Sequence, residues 1–158
     1  MIMGFPGSTQ RYMTSYEIDR MLEVENPQRI FIRGERQAIL KEDMAASDKV
    51  RIQYASKYAQ SSNYWKNSIG MSRGIKRLDV KGRKQEQEAA FRAWAAKNTL
   101  PTEGYVDALD KIRESVEENL PAFASRQYLQ EAFLRAVEIL TPARYALSLK
   151  GEELESAL

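Results

Sequence analysis

Between Gln53 and Gly74 an uncharged polar face runs along what the spacing predicts to be one long helix. Gln53, Ser56, Gln60, Asn63, Asn67, Gly70 and Gly74 fall on it. The central run, residues 61–70, reads SSNYWKNSIG, with Lys66 its one charge. A solvent-facing helix surface favours Lys, Glu and Arg, whereas Ser, Asn and Gly cost helix stability there. Short uncharged polar groups suit a face that meets something closely. Two readings stand open: the amides line a cleft or ligand contact, or the small residues make a helix–helix contact.

Little other chemistry is on offer. The chain has no cysteine, which removes disulfides, thiolate nucleophiles and thiolate metal sites. It has no histidine, so it cannot build a Ser-His-Asp or Cys-His arrangement of its own, or a His-ligated metal site. No Walker loop and no Gly-x-Gly-x-x-Gly occurs. The carboxylates read as solvated helix faces, and no cofactor and no metal are expected. No apolar run approaches membrane-spanning length. The net charge of +2 does not by itself imply nucleic acid or membrane as partner.

The elements that would position the amide face are helices. With 158 residues, 43% hydrophobic and 29% charged, the chain suits about one folded domain. Thr14 or Ser15 can cap a short helix through about Val24. Asn26-Pro27 reads as a cap with proline at the first helical position, opening a helix to about Ala46 that contains Gly34. Ser47-Asp48 starts the longest helix, to about Lys76. On it Val50, Tyr54, Tyr58, Trp65 and Ile69 form an apolar stripe, read as core. A helix over about 80–97 would bury Phe91 and Trp94. After the break at Leu100-Pro101, with Thr102 as cap, Val106, Leu109, Ile112, Val116 and Leu120 recur at helical spacing. Pro121 restarts the chain, and Leu129, Phe133, Ala136, Val137 and Leu140 form the next stripe. Residues 141–158 are weakly patterned and end acidic.

Ahead of the helices, Ile2, Met3 and Phe5 read as the end of a strand, turned by Pro6-Gly7. No partner strand is evident, so either the strand pairs with a sheet outside the chain or the segment is an extended arm. The turn over residues 4–11 could bring backbone close to a cleft. The favoured reading is a structural redirection from strand to helix, with Arg11 and Tyr12 pinning the junction.

Two long motifs, GFPGSTQRYMTSYEI (residues 4–18) and ASDKVRIQYASKYAQSSNYWKNSIGM (residues 46–71), resemble the dipeptidyl-peptidase 7 and 11 group, serine peptidase family 46. The resemblance covers residues 1 to about 94. It implies an all-α, multi-helix, bundle-like fragment with a short N-terminal strand remnant, the cap inserted in a chymotrypsin-like double β-barrel. Residues 1–13 would be the strand exit and turn from the barrel, and residues 14–158 part of the helical cap. The missing triad would lie elsewhere in a longer bacterial enzyme that releases dipeptides from a free N-terminus. The chain alone would not be catalytic.

The same resemblance places a substrate-amine contact on this helix, and spacing from the Gly-Phe-Pro-Gly turn puts it at Asn63. Asn67 and Gln60, one turn away on either side, are supporting substrate-binding candidates. An amide oxygen accepts a hydrogen bond from an ammonium without needing a counter-charge. The implied partners are an oligopeptide substrate with a free N-terminus and the remaining β-barrel part of the parent enzyme, with a homodimer also open. The implied location is the periplasm, cell surface or exterior of a bacterium. A different reading of the residues is a stand-alone helical interaction module whose Asn63 face meets a protein. An exposed apolar surface along one helix side would favour the cap, and a compact two-state monomer the module.

The basic run from Arg73 to Lys84 lacks interleaved aromatics, and Glu86 and Glu88 follow it. It reads as a solvated face rather than an RNA-binding one. Titration with duplex DNA or single-stranded RNA at low salt should show no salt-dependent binding.

Overall fold

The computed structural model describes residues 10–98, 105 and 107–148. Among these residues all regular structure is helical. The expected strand over residues 1–5, the turn up to residue 9, the Thr102 cap and the acidic end lie outside the described residues.

Thr14 begins the first helix with a capping box. Its hydroxyl faces the Glu17 N–H, and the Glu17 carboxylate accepts from the Thr14 N–H at 2.8 Å. α1 (Ser15–Arg20) then runs through a π-helical turn (Met21–Glu25) into α2 (Asn26–Ala46) without leaving helical backbone. The expected new start at Asn26-Pro27 is therefore corrected. Glu25 and Asn26 are both right-handed helical, and no side chain caps α2. Proline lacks an N–H and crowds the preceding turn, and the wider π turn just before it accommodates both. Asn26 is instead buried at 1% exposure and donates from Nδ2 to Ser72 Oγ at 2.9 Å.

Ser47, in extended conformation, ends α2 and faces the Val50 N–H to open α3 (Asp48–Arg77). The reversal makes α2 and α3 an antiparallel pair. Contacts step along it in register: Asn26 to Ser72, Arg29 to Ser68, and the Trp65 indole N–H to the Ile30 carbonyl at 3.0 Å. The buried positions of α3 are Ser61, Ser62 and Ser68, the last at 0% exposure. This corrects the expected core. The stripe of Val50, Tyr54, Tyr58, Trp65 and Ile69 is only half-buried, while hydroxyls occupy the closest part of the seam.

Asp79 links α3 to α4 (Val80–Lys97) in left-handed conformation, φ 46°, which aspartate tolerates. Its carboxylate accepts from the Gly82 N–H at 3.2 Å, and a Cβ on Gly82 would fall 2.3 Å from that carboxylate. α4 docks on α1 through Glu88, which accepts from the Ser15 N–H and hydroxyl, both at 2.6 Å. Trp94 is 49% exposed, contrary to expectation; the small Ala95 is what packs inside.

α5 (Ala108–Leu129) continues straight through Pro121, where a restart was expected. A second π-helical turn (Gln130–Leu134) follows, then α6 (Leu140–Ser148). Leu109 is buried, but Leu129, Phe133 and Val137 of the expected last stripe are exposed. Tyr12, expected to pin the N-terminal junction, is 94% exposed; the Arg11 carbonyl is held instead by the Lys84 ammonium at 2.6 Å.

Polar groups thus carry much of the interior. The buried apolar side chains among the described residues are Ile18, Met21, Ala95 and Leu109. Alongside them lies a buried network in which Glu131 meets Arg33 at 2.8 Å and Arg29 at 3.5 Å, and Gln127 donates to the Glu25 carbonyl at 2.6 Å. Once paired and hydrogen-bonded, such groups tie elements together, and removal of one partner strands the other.

Two outcomes follow. Ser68→Leu forces bulk into the α2–α3 seam and should cost about 1–3 kcal/mol, read as a lower urea midpoint at unchanged slope. Ser56→Leu, on the exposed side, should stay within about 0.5 kcal/mol. Separately, the Arg92 guanidinium grips Asp110 at 2.9 and 3.0 Å and holds its carboxyl below the usual range. A carboxyl depressed on folding stabilises above its unfolded pKa, about 4, and loses that contribution as pH falls through its lower folded value. Asp110→Asn should therefore flatten the loss of stability as pH falls below about 4, measured by denaturant melts at a series of acid pH values.

Candidate functional site

The close α2–α3 seam decides which way the α3 amides point. With Ser61, Ser62 and Ser68 turned inward, Gln60, Asn63 and Asn67 are left exposed. The two open readings of the polar face therefore divide between different residues. The small residues in contact with α2 are the serines. The amides face outward.

Asn63 and Asn67, one turn apart, line a shallow depression of about 270 Å³ with Tyr64 between them. Tyr64 is fixed from behind by the Arg33 guanidinium, 5.0 Å from its ring centre. Gln60 is not part of this depression. It stands on the other side of Tyr64, on a groove of about 590 Å³ that Arg33, Arg36 and Arg135 also line. Asn67 in turn borders a hollow of about 450 Å³ walled by Met21, Met71, Ile75 and Val80. The amide pair thus sits between an apolar hollow and a basic groove.

Burial holds the Arg33 guanidinium below its ordinary pKa, with Glu131 opposing and Arg29 and Arg36 adding to the depression. The amide depression itself carries two carboxamides and a phenol, with no carboxylate or amine on its wall among the described residues. Such a set can accept and donate hydrogen bonds to a bound group. It has no nucleophile–base pair of the kind that starts acyl transfer. Among the described residues no group of three or more carboxylates is placed to hold a metal ion. None of the described helices is long and apolar enough to cross a membrane.

Tyr64 and Arg33 were not singled out from the sequence. Tyr64 falls outside both the amide face and the apolar stripe of Val50, Tyr54, Tyr58, Trp65 and Ile69. Arg29, Arg33 and Arg36, at spacings of four and three, do mark one face of α2, and that stripe was the available signal.

The peptidase S46 family model matches residues 1–156. The chain is 47% identical over 149 residues to dipeptidyl-peptidase 7 of Porphyromonas gingivalis, covering 94% of this chain and 21% of that protein. It is 50% identical over 143 residues to dipeptidyl-peptidase 7 of Phocaeicola vulgatus, covering 90% of this chain and 19% of that protein. Among solved structures, Porphyromonas endodontalis DPP11 in complex with the dipeptide Arg-Glu superposes with a TM-score of 0.77 at 31% identity, over 85% of this chain and 19% of that one. The chain therefore spans only a small part of the length of these relatives. With the motifs at residues 4–18 and 46–71 inside the matched region, the chain belongs to the peptidase S46 family.

Proposed function

We propose that this chain is a helical cap segment of a serine-type dipeptidyl-peptidase that releases dipeptides from the free N-terminus of oligopeptides. In this reading the catalytic triad stands in a double β-barrel supplied by the rest of a longer polypeptide, and residues 1–13 lead out of that barrel. The enzyme works in the periplasm or at the cell surface of a bacterium. The cap's task is to recognise the end of the substrate.

The observation that carries the reading is the outward pair Asn63–Asn67 flanking Tyr64 in one depression. An α-ammonium is a compact triple donor, and carboxamide oxygens are acceptors that ask for no counter-charge. Asn63 accepts from the ammonium, Asn67 supports from the next turn, and Gln60 contacts the chain beyond Tyr64. A helical wall behind the amine also excludes any residue preceding it, so cleavage is confined to the second peptide bond. The exposed apolar surface supports the cap over a free-standing module: Phe31, Ile39, Ile52 and Leu147 are between 62 and 85% exposed. Such surface is what the cap would cover with the remainder of the enzyme.

A hydrogen bond from a charged donor is worth roughly 1.5–3 kcal/mol net. In the longer enzyme, Asn63→Ala should therefore lower kcat/KM for dipeptide release by about tenfold to about 150-fold. A value within about threefold of wild type, less than about 0.7 kcal/mol, would sink the assignment.

A further inference from the structure

Across Tyr64 from the amide depression, the larger groove holds more positive charge than its carboxylates cancel. Arg33, Arg36, Lys57 and Arg135 line it, and Glu138 is the one carboxylate on its wall. Lys57 takes Glu138 at 2.5 Å. Glu131, beneath the floor, is shared by Arg33 at 2.8 Å, Arg29 at 3.5 Å and Arg135 at 3.9 Å. Glu25 pairs with Arg29 at 3.0 Å. Among the described residues, five cations around the groove thus meet three carboxylates. Among the described residues, Arg36 reaches only a backbone oxygen, that of Arg135 at 3.3 Å.

Two further polar groups wait at the same place. Arg33 Nε and Ser61 Oγ are buried without a hydrogen-bond partner among the described residues, on side chains of residues only 9% and 3% exposed. Buried donors are ordinarily satisfied, so these two leave hydrogen-bonding capacity at the groove that an acceptor oxygen could fill. The groove is not shaped for a bare ion. Its volume of about 590 Å³ is that of a ligand site, and Leu134 and Val137 put half-exposed apolar surface along one side.

We propose that this groove binds an acidic peptide segment, a side-chain carboxylate resting on Arg36 and Arg135 and the neighbouring apolar residues on Leu134 and Val137. This site is separate from the amide depression and does not depend on Asn63 binding an amine. The shared chemistry is an anionic oxygen, which inorganic phosphate could also present.

The test is calorimetric titration of the longer enzyme that carries this segment with the blocked peptide acetyl-Leu-Glu-Glu-Leu-amide, whose acetyl group keeps it from any amine site. Binding should weaken as salt rises from about 50 mM to about 500 mM, because screening removes charge attraction. The analogue with Gln in place of both Glu should bind at least tenfold more weakly. Arg36→Gln combined with Arg135→Gln should weaken the acidic peptide at least tenfold, with circular dichroism unchanged because both side chains sit toward the surface. Glu138→Gln, which releases Lys57, should tighten binding. Absence of binding, equal binding of the Gln analogue, or indifference to these variants would overturn the proposal. So would inorganic phosphate binding as tightly as the peptide, which would make the groove a free-anion site.

Discussion

The α2–α3 seam turns three serines inward, with the Trp65 indole bonded to the Ile30 carbonyl between them. Ser61, Ser62 and Ser68 are almost wholly buried there, and Ser68 Oγ lies 3.4 Å from the Arg29 guanidinium. Because the serines must turn inward, the helical repeat of about 100° per residue leaves Gln60, Asn63 and Asn67 outside. A larger residue at any of the three serines would separate the helices or rotate α3. Either change moves the amides. The outward face is therefore a consequence of the inward one.

The same seam explains why the interior is so polar. Helices that approach closely bring backbone and side-chain polar groups together, and these are satisfied across the interface rather than by water. Asn26 bonds Ser72, the Trp65 indole bonds the Ile30 carbonyl, and Gln127 reaches the Glu25 carbonyl in the π-helical turn. That turn matters twice. It absorbs Pro27 without breaking the helix, and it leaves a carbonyl that α5 uses for docking. Glu131, four residues after Gln127 on the same helix face, then collects Arg29 and Arg33. Apolar surface, by contrast, lies largely outside, at Phe31, Ile52, Phe133 and Leu147 among others.

Much of the helix layout was legible in the sequence, and for definite reasons. Thr14 with Glu17 is a capping box, and Ser47 has the chemistry of a helix start. The break near residue 79 showed in the charge pattern, though the left-handed Asp79 and its hold on Gly82 did not. Asn26-Pro27 misled because a cap followed by proline and a π turn that absorbs proline look alike in one dimension. Trp94 misled because a large aromatic is ordinarily inside, whereas here it stacks on the Phe91 ring at 6.0 Å along the surface of its own helix and Ala95 takes the inner position. The outward amides were legible from their composition. The inward serines were not, because hydrophobic periodicity locates an apolar core and is silent about a seam of hydroxyls. Arg33 and Tyr64, which shape the site's wall, required the fold to bring α2 and α3 together.

The most direct measurement is a crystal structure of the full-length enzyme with a dipeptide bound. The expected result has the dipeptide's ammonium within about 3.2 Å of Asn63 Oδ1, in the depression beside Tyr64. A dipeptide whose ammonium is held wholly by other groups, with Asn63 facing bulk water, would contradict the role given to this helix.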